Sequence, residues 1–140
     1  MTHEEKLSPL QTFATALAFV AALLVAAAWV VLRFVLGDAS VQAMAPPWPG
    51  LFAGAAAAAL VAAPLAERRL MGDATAPAAF ATYRRAKVVG FVLRALVAAN
   101  GFLLALGTGR IAWSFALSTA ALIAMALAWP RASDLGEGER

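Results

Sequence analysis

Two polar side chains stand well inside apolar stretches of this 140-residue chain, Arg94 and Asn100. A guanidinium in hydrocarbon is costly, so an arginine there is a candidate for function: it can hold an anionic lipid group or a carboxylate from another subunit. Arg94 follows Lys87 by seven residues, about 10 Å along a helix axis. Helical side chains lean toward the N-terminus, so the favoured reading of Arg94 is a chain that snorkels back to its own interface. Asp38, Glu67 and Asp73 read as span ends or loop residues. A buried Arg94 is therefore expected to need backbone carbonyls, water or a partner's acid. The same lack of an intramembrane acid argues against a proton relay or a cation carrier. Asn100 is expected to hydrogen-bond across to Ser114, Ser118 or Thr119 as a packing contact. Arg33, near the end of the first apolar run, snorkels, with Asp38 as a partner.

The remaining chemical inventory is thin. The single histidine, His3, lies in the N-terminal tail, and there is no cysteine. Disulfides, thiolate metal sites and thiol nucleophiles are thereby excluded, as is paired-histidine haem ligation within the chain. No glycine-rich phosphate loop, His–Glu metal pattern or Ser/His/Asp set is present. The expectation is a protein that is not an enzyme and carries no cofactor or metal.

The elements that position these residues follow from composition. Apolar residues make up 63% of the chain and charged ones 14%, against about 45–50% and about 25% in a soluble domain. So short a chain cannot enclose that apolar excess in one interior. A bilayer core of about 30 Å takes roughly 20 helical residues. Four apolar runs are long enough, at about 10–36, 50–66, 88–106 and 111–129. The fold expected is an all-α integral membrane four-helix bundle, a single domain with a loop at 67–87. Ser8, Pro9 and Gln11 read as a Ser-x-x-Gln capping box opening the first run, and Gly37 closes it. The segment before that run holds Glu4, Glu5 and Lys6 rather than a basic cluster, so a retained span is preferred to a cleaved signal peptide. Pro64 is expected to kink the second run, the third helix can begin as early as Ala76, and Gly107, Thr108 and Gly109 read as the turn into the fourth.

Lysine and arginine set the orientation. The N-terminal tail, the 67–87 loop and the C-terminal tail hold eight of them; the opposite side holds Arg110 alone. The positive-inside rule then places both termini in the cytoplasm. The loop cluster Arg68, Arg69, Arg84, Arg85 and Lys87 reads as this insertion signal in contact with anionic headgroups rather than as a protein docking site. The net charge of +3 gives no reason to invoke nucleic acid. Trp48, Trp113 and Trp129 fall at span ends, where indole rings settle, and Tyr83 anchors the third helix at the boundary.

Small residues recur at helix-packing spacing. Gly50, Gly54, Ala58 and Ala62 share a face of the second span; Gly101, Ala105 and Gly109 share one of the third. Ala112, Ala116, Ala120, Ala124 and Ala128 run the length of the fourth. Such stripes let helices approach closely in lipid, although with 38 alanines in the chain some arise from composition alone.

From Tyr83 to Arg131 the chain resembles the second half of a group of small uncharacterised bacterial membrane proteins with four spans. There a Tyr-Arg segment leads into an apolar third helix, a short loop follows, and the last span closes on a Pro-basic pair, here Pro130 and Arg131. That group often carries a Glu in the third helix, and around Arg94 and Ala95 this chain has none. The resemblance implies a four-span fold and no activity. The chain is also similar in size, span number and termini side to the small four-span assembly protein encoded with bacterial ATP synthases, with no motif in common.

Three functions are compatible with these features. The first is an accessory or assembly subunit of a larger complex in the bacterial inner (plasma) membrane, partnered by the bilayer and by other subunits or itself. The second is a small oligomeric transporter or channel, anion-favouring through Arg94 and Asn100. The third, a lipid-acting enzyme, needs residues the chain does not supply.

Overall fold

The computed structural model describes residues 3–36, 47–72, 79–131 and 134. It is all-helical. Helix α1 spans His3–Val30 and continues into a wider π-helical turn over Val31–Leu36; α2 spans Trp48–Met71, α3 Ala79–Thr108 and α4 Ile111–Leu127. Three of the helices are long and apolar enough to cross a membrane, whereas α4 is a shorter apolar helix of 17 residues. Its length, about 25 Å at 1.5 Å per residue, is at the lower limit for a span.

The helices are apolar on most sides, so hydropathy alone does not say which face turns inward. The buried positions do. On α1 they include Leu7, Ala14, Ala21 and Ala28, one every seven residues. On α3 they include Tyr83, Lys87, Gly90, Arg94, Val97, Gly101 and Leu104, in alternating steps of four and three. Ser114, Ser118, Ala121 and Met125 continue that rhythm on α4, and Ala56, Ala63 and Glu67 on α2. This 3–4 spacing is the seam of side-by-side helices packed as in a coiled coil. Helix α3 packs against all three of the others and is the most buried element.

The interior is layered along the axis. Leu7 and Leu10 meet Tyr83 at one end. Ala14, Phe91 and Met125 form the next layer, with the Phe91 and Trp129 rings edge-to-face at 6.3 Å. Ala21, Ala56, Val97, Ala98 and Ala121 join all four helices beyond it. Large apolar side chains instead face outward, among them Phe19, Phe34, Val61, Phe115 and Leu127.

Several boundaries differ from those the sequence suggests. Helix α1 starts at His3, so Ser8 and Pro9 lie inside it and do not cap it. The Ser8 carbonyl accepts from Thr12 Oγ1 at 2.9 Å, while Gln11 Nε2 donates to the Pro130 carbonyl at 3.3 Å, across to the exit of α4. Burial of Leu7 and Leu10 against Tyr83 rewards helix upstream of Pro9, against the lost hydrogen bond and the ring crowding that a proline past the first turn imposes. Helix α2 runs past the apolar stretch to Met71, so Glu67, Arg68 and Arg69 are helical and not loop. Gly107 and Thr108 stay helical, and the turn falls to Gly109, whose φ of 67° takes the left-handed conformation that glycine tolerates. Gly37, Asp38, Asp73 and Ala76 lie outside the described residues.

The small-residue stripes divide. Gly101 is a contact point within the chain: a Cβ there would sit 2.7 Å from Leu117 Cβ and 3.0 Å from the Trp113 carbonyl oxygen. Among the described residues nothing lies within 4 Å of a Cβ at Gly50 or Gly54, and Ala58 is exposed as well. Ala112 and Ala116 are exposed, and Ala120 and Ala124 half-buried, because α4 turns its Ser114–Ser118–Ala121–Met125 face to α3 instead.

Candidate functional site

The polar residues that matter meet at one end of the bundle, where α2 and α4 finish and α1 and α3 begin. Glu67, Lys87 and Arg94 are all buried, with 6%, 7% and 5% of their surface exposed. Arg94 Nη1 donates to Glu67 Oε1, and Lys87 Nζ lies 3.6 Å from Glu67 Oε2. One carboxylate thus faces two cations, one on each oxygen. Lys87 Nζ also donates to the Ala128 carbonyl at 2.9 Å, satisfying one of the acceptors left over where α4 ends. Aromatic faces complete the setting: Lys87 Nζ is 5.6 Å from the Tyr83 ring centroid, and Arg94 Cζ is 5.8 Å from that of Phe91. Both are cation–π distances.

The sequence prepares this geometry locally. Lys87 and Arg94 are seven residues apart and Gly90 lies between them on the same seam. Glycine leaves room there for the acid, since a Cβ at Gly90 would fall 2.6 Å from Glu67 Cδ and 2.7 Å from its Cγ. On α2, Glu67 follows Ala63 by one turn and so stays on the buried face. Tyr83 closes the outer side: its hydroxyl donates to Asp134 Oδ2 at 2.8 Å, and Asp134 in turn accepts from the Arg131 backbone N–H at 3.3 Å. A cavity of about 390 Å³ opens beside the cluster, lined by Leu60, Pro64, Leu127 and Ala128 along with the three charged residues.

This corrects the reading of Arg94 as a snorkelling side chain or one in need of a partner's acid: the chain supplies the acid itself. Lys87 leaves the surface basic cluster for the interior, whereas Arg68, Arg69, Arg84 and Arg85 are exposed. Tyr83 is buried and does not present its ring to headgroups. Asn100 makes no bond to α4; its Nδ2 donates to the Leu96 carbonyl one turn back on its own helix, at 2.8 Å. Ser114 Oγ and Ser118 Oγ are enclosed and have no hydrogen-bond partner. Glu67 has the sequence character of a loop residue because it stands just past the apolar run. Its step of four from Ala63, and the lone glycine between two cations on α3, are the signals that find it.

The chain matches no known protein family, no curated protein and no solved structure. Among the described residues no group of three His, Cys, Asp or Glu side chains could hold a metal ion. The arrangement can fix three helices to one another through charge, and it can present excess positive charge to a small anion.

Proposed function

We propose that the chain is a four-span integral protein of the bacterial inner membrane with both termini cytoplasmic, and that it serves as a non-catalytic accessory or assembly subunit of a larger membrane complex. The observation carrying this reading is the outward direction of its small-residue stripes. Gly50, Gly54 and Ala58 on α2, with Ala112 and Ala116 on α4, line no interior contact among the described residues. In lipid, close-approach faces of this kind serve helix–helix association, and within the chain that role falls to other residues. The exposed phenylalanines, valines and leucines of the remaining surface suit acyl chains. Helix α4 crosses as the shortest span, with Pro130 and Arg131 at the cytoplasmic boundary. Exposed Arg68, Arg69, Arg84 and Arg85 occupy that side and meet anionic headgroups.

Purification from the native membrane in mild detergent tests this. The expected result is a particle well above the mass of one 14.5 kDa chain, reduced to that mass by Gly54→Leu. A lone small species from the unaltered protein defeats the proposal. A second reading, a small oligomeric transporter favouring anions, draws support from the cavity beside Lys87 and Arg94. Unchanged anion flux in reconstituted vesicles after Arg94→Ala would rule it out.

A further inference from the structure

The cavity at the charged end has an unbalanced electrostatic account. Two cations and one carboxylate line it, all three nearly buried, so among the described residues that line it the positive charges exceed the negative by one. Removing an ion from water costs several kcal/mol unless an opposite charge or hydrogen bonds compensate. Asp134 is exposed and bonded to the Tyr83 hydroxyl; it does not line the cavity. Exposed Arg84 and Arg85 line a separate groove with Phe80 and Val88.

Both cations retain donors. An ammonium has three N–H groups and a guanidinium five, against two contacts for Lys87 and the one through Nη1 for Arg94. Neither side chain has a fully enclosed nitrogen lacking a partner, and both side chains line the cavity. The rest of the wall is apolar, from Leu60, Pro64, Ala124 and Leu127. Leu127 is 80% exposed on the outer surface of α4, so the cavity opens sideways, past an apolar rim.

We propose that this cavity is a binding site for one singly charged phosphate group, held by Lys87 and Arg94 with Glu67 as the fixed internal counter-charge. A phosphate offers several acceptor oxygens to donors from two helices, and its single negative charge brings the site to neutrality. The chemistry is shared by a phosphodiester lipid headgroup and by free inorganic phosphate. The headgroup reading rests on the membrane placement proposed above; the site itself does not.

The test uses the full chain, stripped of lipid in neutral detergent and titrated with phosphatidylglycerol, with phosphatidylcholine and with inorganic phosphate, bound ligand being counted by native mass spectrometry. One saturable phosphatidylglycerol site is expected, weakened about tenfold or more by Lys87→Met, since hydrogen bonds to charged groups are the strong ones. Ala124→Asp, which places a covalent carboxylate in the cavity, is expected to weaken it similarly while keeping the helices intact by circular dichroism. Arg84→Gln with Arg85→Gln leaves it unchanged. Displacement by inorganic phosphate at equal concentration identifies free phosphate as the occupant, and no displacement identifies the headgroup. Binding by the unaltered protein that never saturates, or that is lost in the Arg84/Arg85 variant and kept in Ala124→Asp, overturns the proposal. Particle mass in the earlier experiment is a separate readout, so failure of one reading is distinct from failure of the other.

Discussion

The two halves of the bundle are held together by opposite means. At the end where α3 begins, α2, α3 and α4 are joined through charge: Glu67 to Arg94 and Lys87, and Lys87 onward to the Ala128 carbonyl. In the half where α3 ends, the joint is shape. Gly101 lies against Leu117 and the Trp113 backbone, and Ala21, Ala56, Ala98 and Ala121 close the adjoining layer. Charge tolerates separation, since an ion pair survives across a cavity. Close packing does not, because dispersion falls away within an ångström. The cavity accordingly sits at the charged end, and the close approach of Gly101 to the Trp113 backbone at the other.

The largest effect should come from breaking the charged half on one side only. Glu67→Ala leaves Lys87 and Arg94 buried without an acid, and a buried pair broken in this way costs about 3–5 kcal/mol. Unfolding of the detergent-solubilised protein, followed by helicity against denaturant, should show that loss. Removing Arg94 as well, as in Glu67→Leu with Arg94→Met, should recover part of it, because apolar residues of similar volume replace a buried ion pair at little cost, while Lys87 stays buried without its acid. If the double variant is as unstable as the single one, the charged half is held by packing after all and the contrast with the other half disappears.

The next effect probes shape. Gly101→Ala puts a methyl group where Leu117 Cβ and the Trp113 carbonyl already stand, and overpacking of that kind costs about 1–3 kcal/mol. Gly54→Ala meets nothing within 4 Å, and alanine is the better helix former by about 1 kcal/mol. The isolated chain should therefore be destabilised by the first and unharmed by the second, measured by the same denaturant titration. Equal losses would mean that Gly54 has a close neighbour within the chain.

The sequence carries the long helices and their apolar character plainly, because runs of apolar residues need no partner to be recognised. Which face of each helix turns inward is hidden, since helices this apolar have no polar side to mark the exterior. The seam becomes visible through residues that look misplaced: Lys87, Gly90 and Arg94 keep the 3–4 rhythm with Val97 and Gly101. Glu67 is hidden for a related reason. An acid one turn beyond an apolar run reads as the first residue of a loop, and only its register with Ala56 and Ala63 places it inside. The alanine stripe of α4 misleads in the other direction. With alanine so frequent, a repeat of four arises without marking a contact, and the face that packs is marked by Ser114 and Ser118.

Those two serines give the smallest effect and the finest comparison. Their hydroxyls are enclosed between α4 and its neighbours and unpaired, in the half of the molecule that depends on shape and not on polarity. An unsatisfied buried hydroxyl costs about 1–3 kcal/mol, lessened where a serine shares the carbonyl four residues back. Ser118→Ala removes one oxygen and leaves the helix spacing intact. It should therefore leave stability unchanged or raise it by up to about 1 kcal/mol, within the scale of a single hydrogen bond. The same denaturant titration reads the difference, with Ser118→Val as the steric control expected to destabilise. A clear loss in Ser118→Ala would show that the hydroxyl has a partner, and would place a polar joint in the half of the bundle that is otherwise held by shape alone.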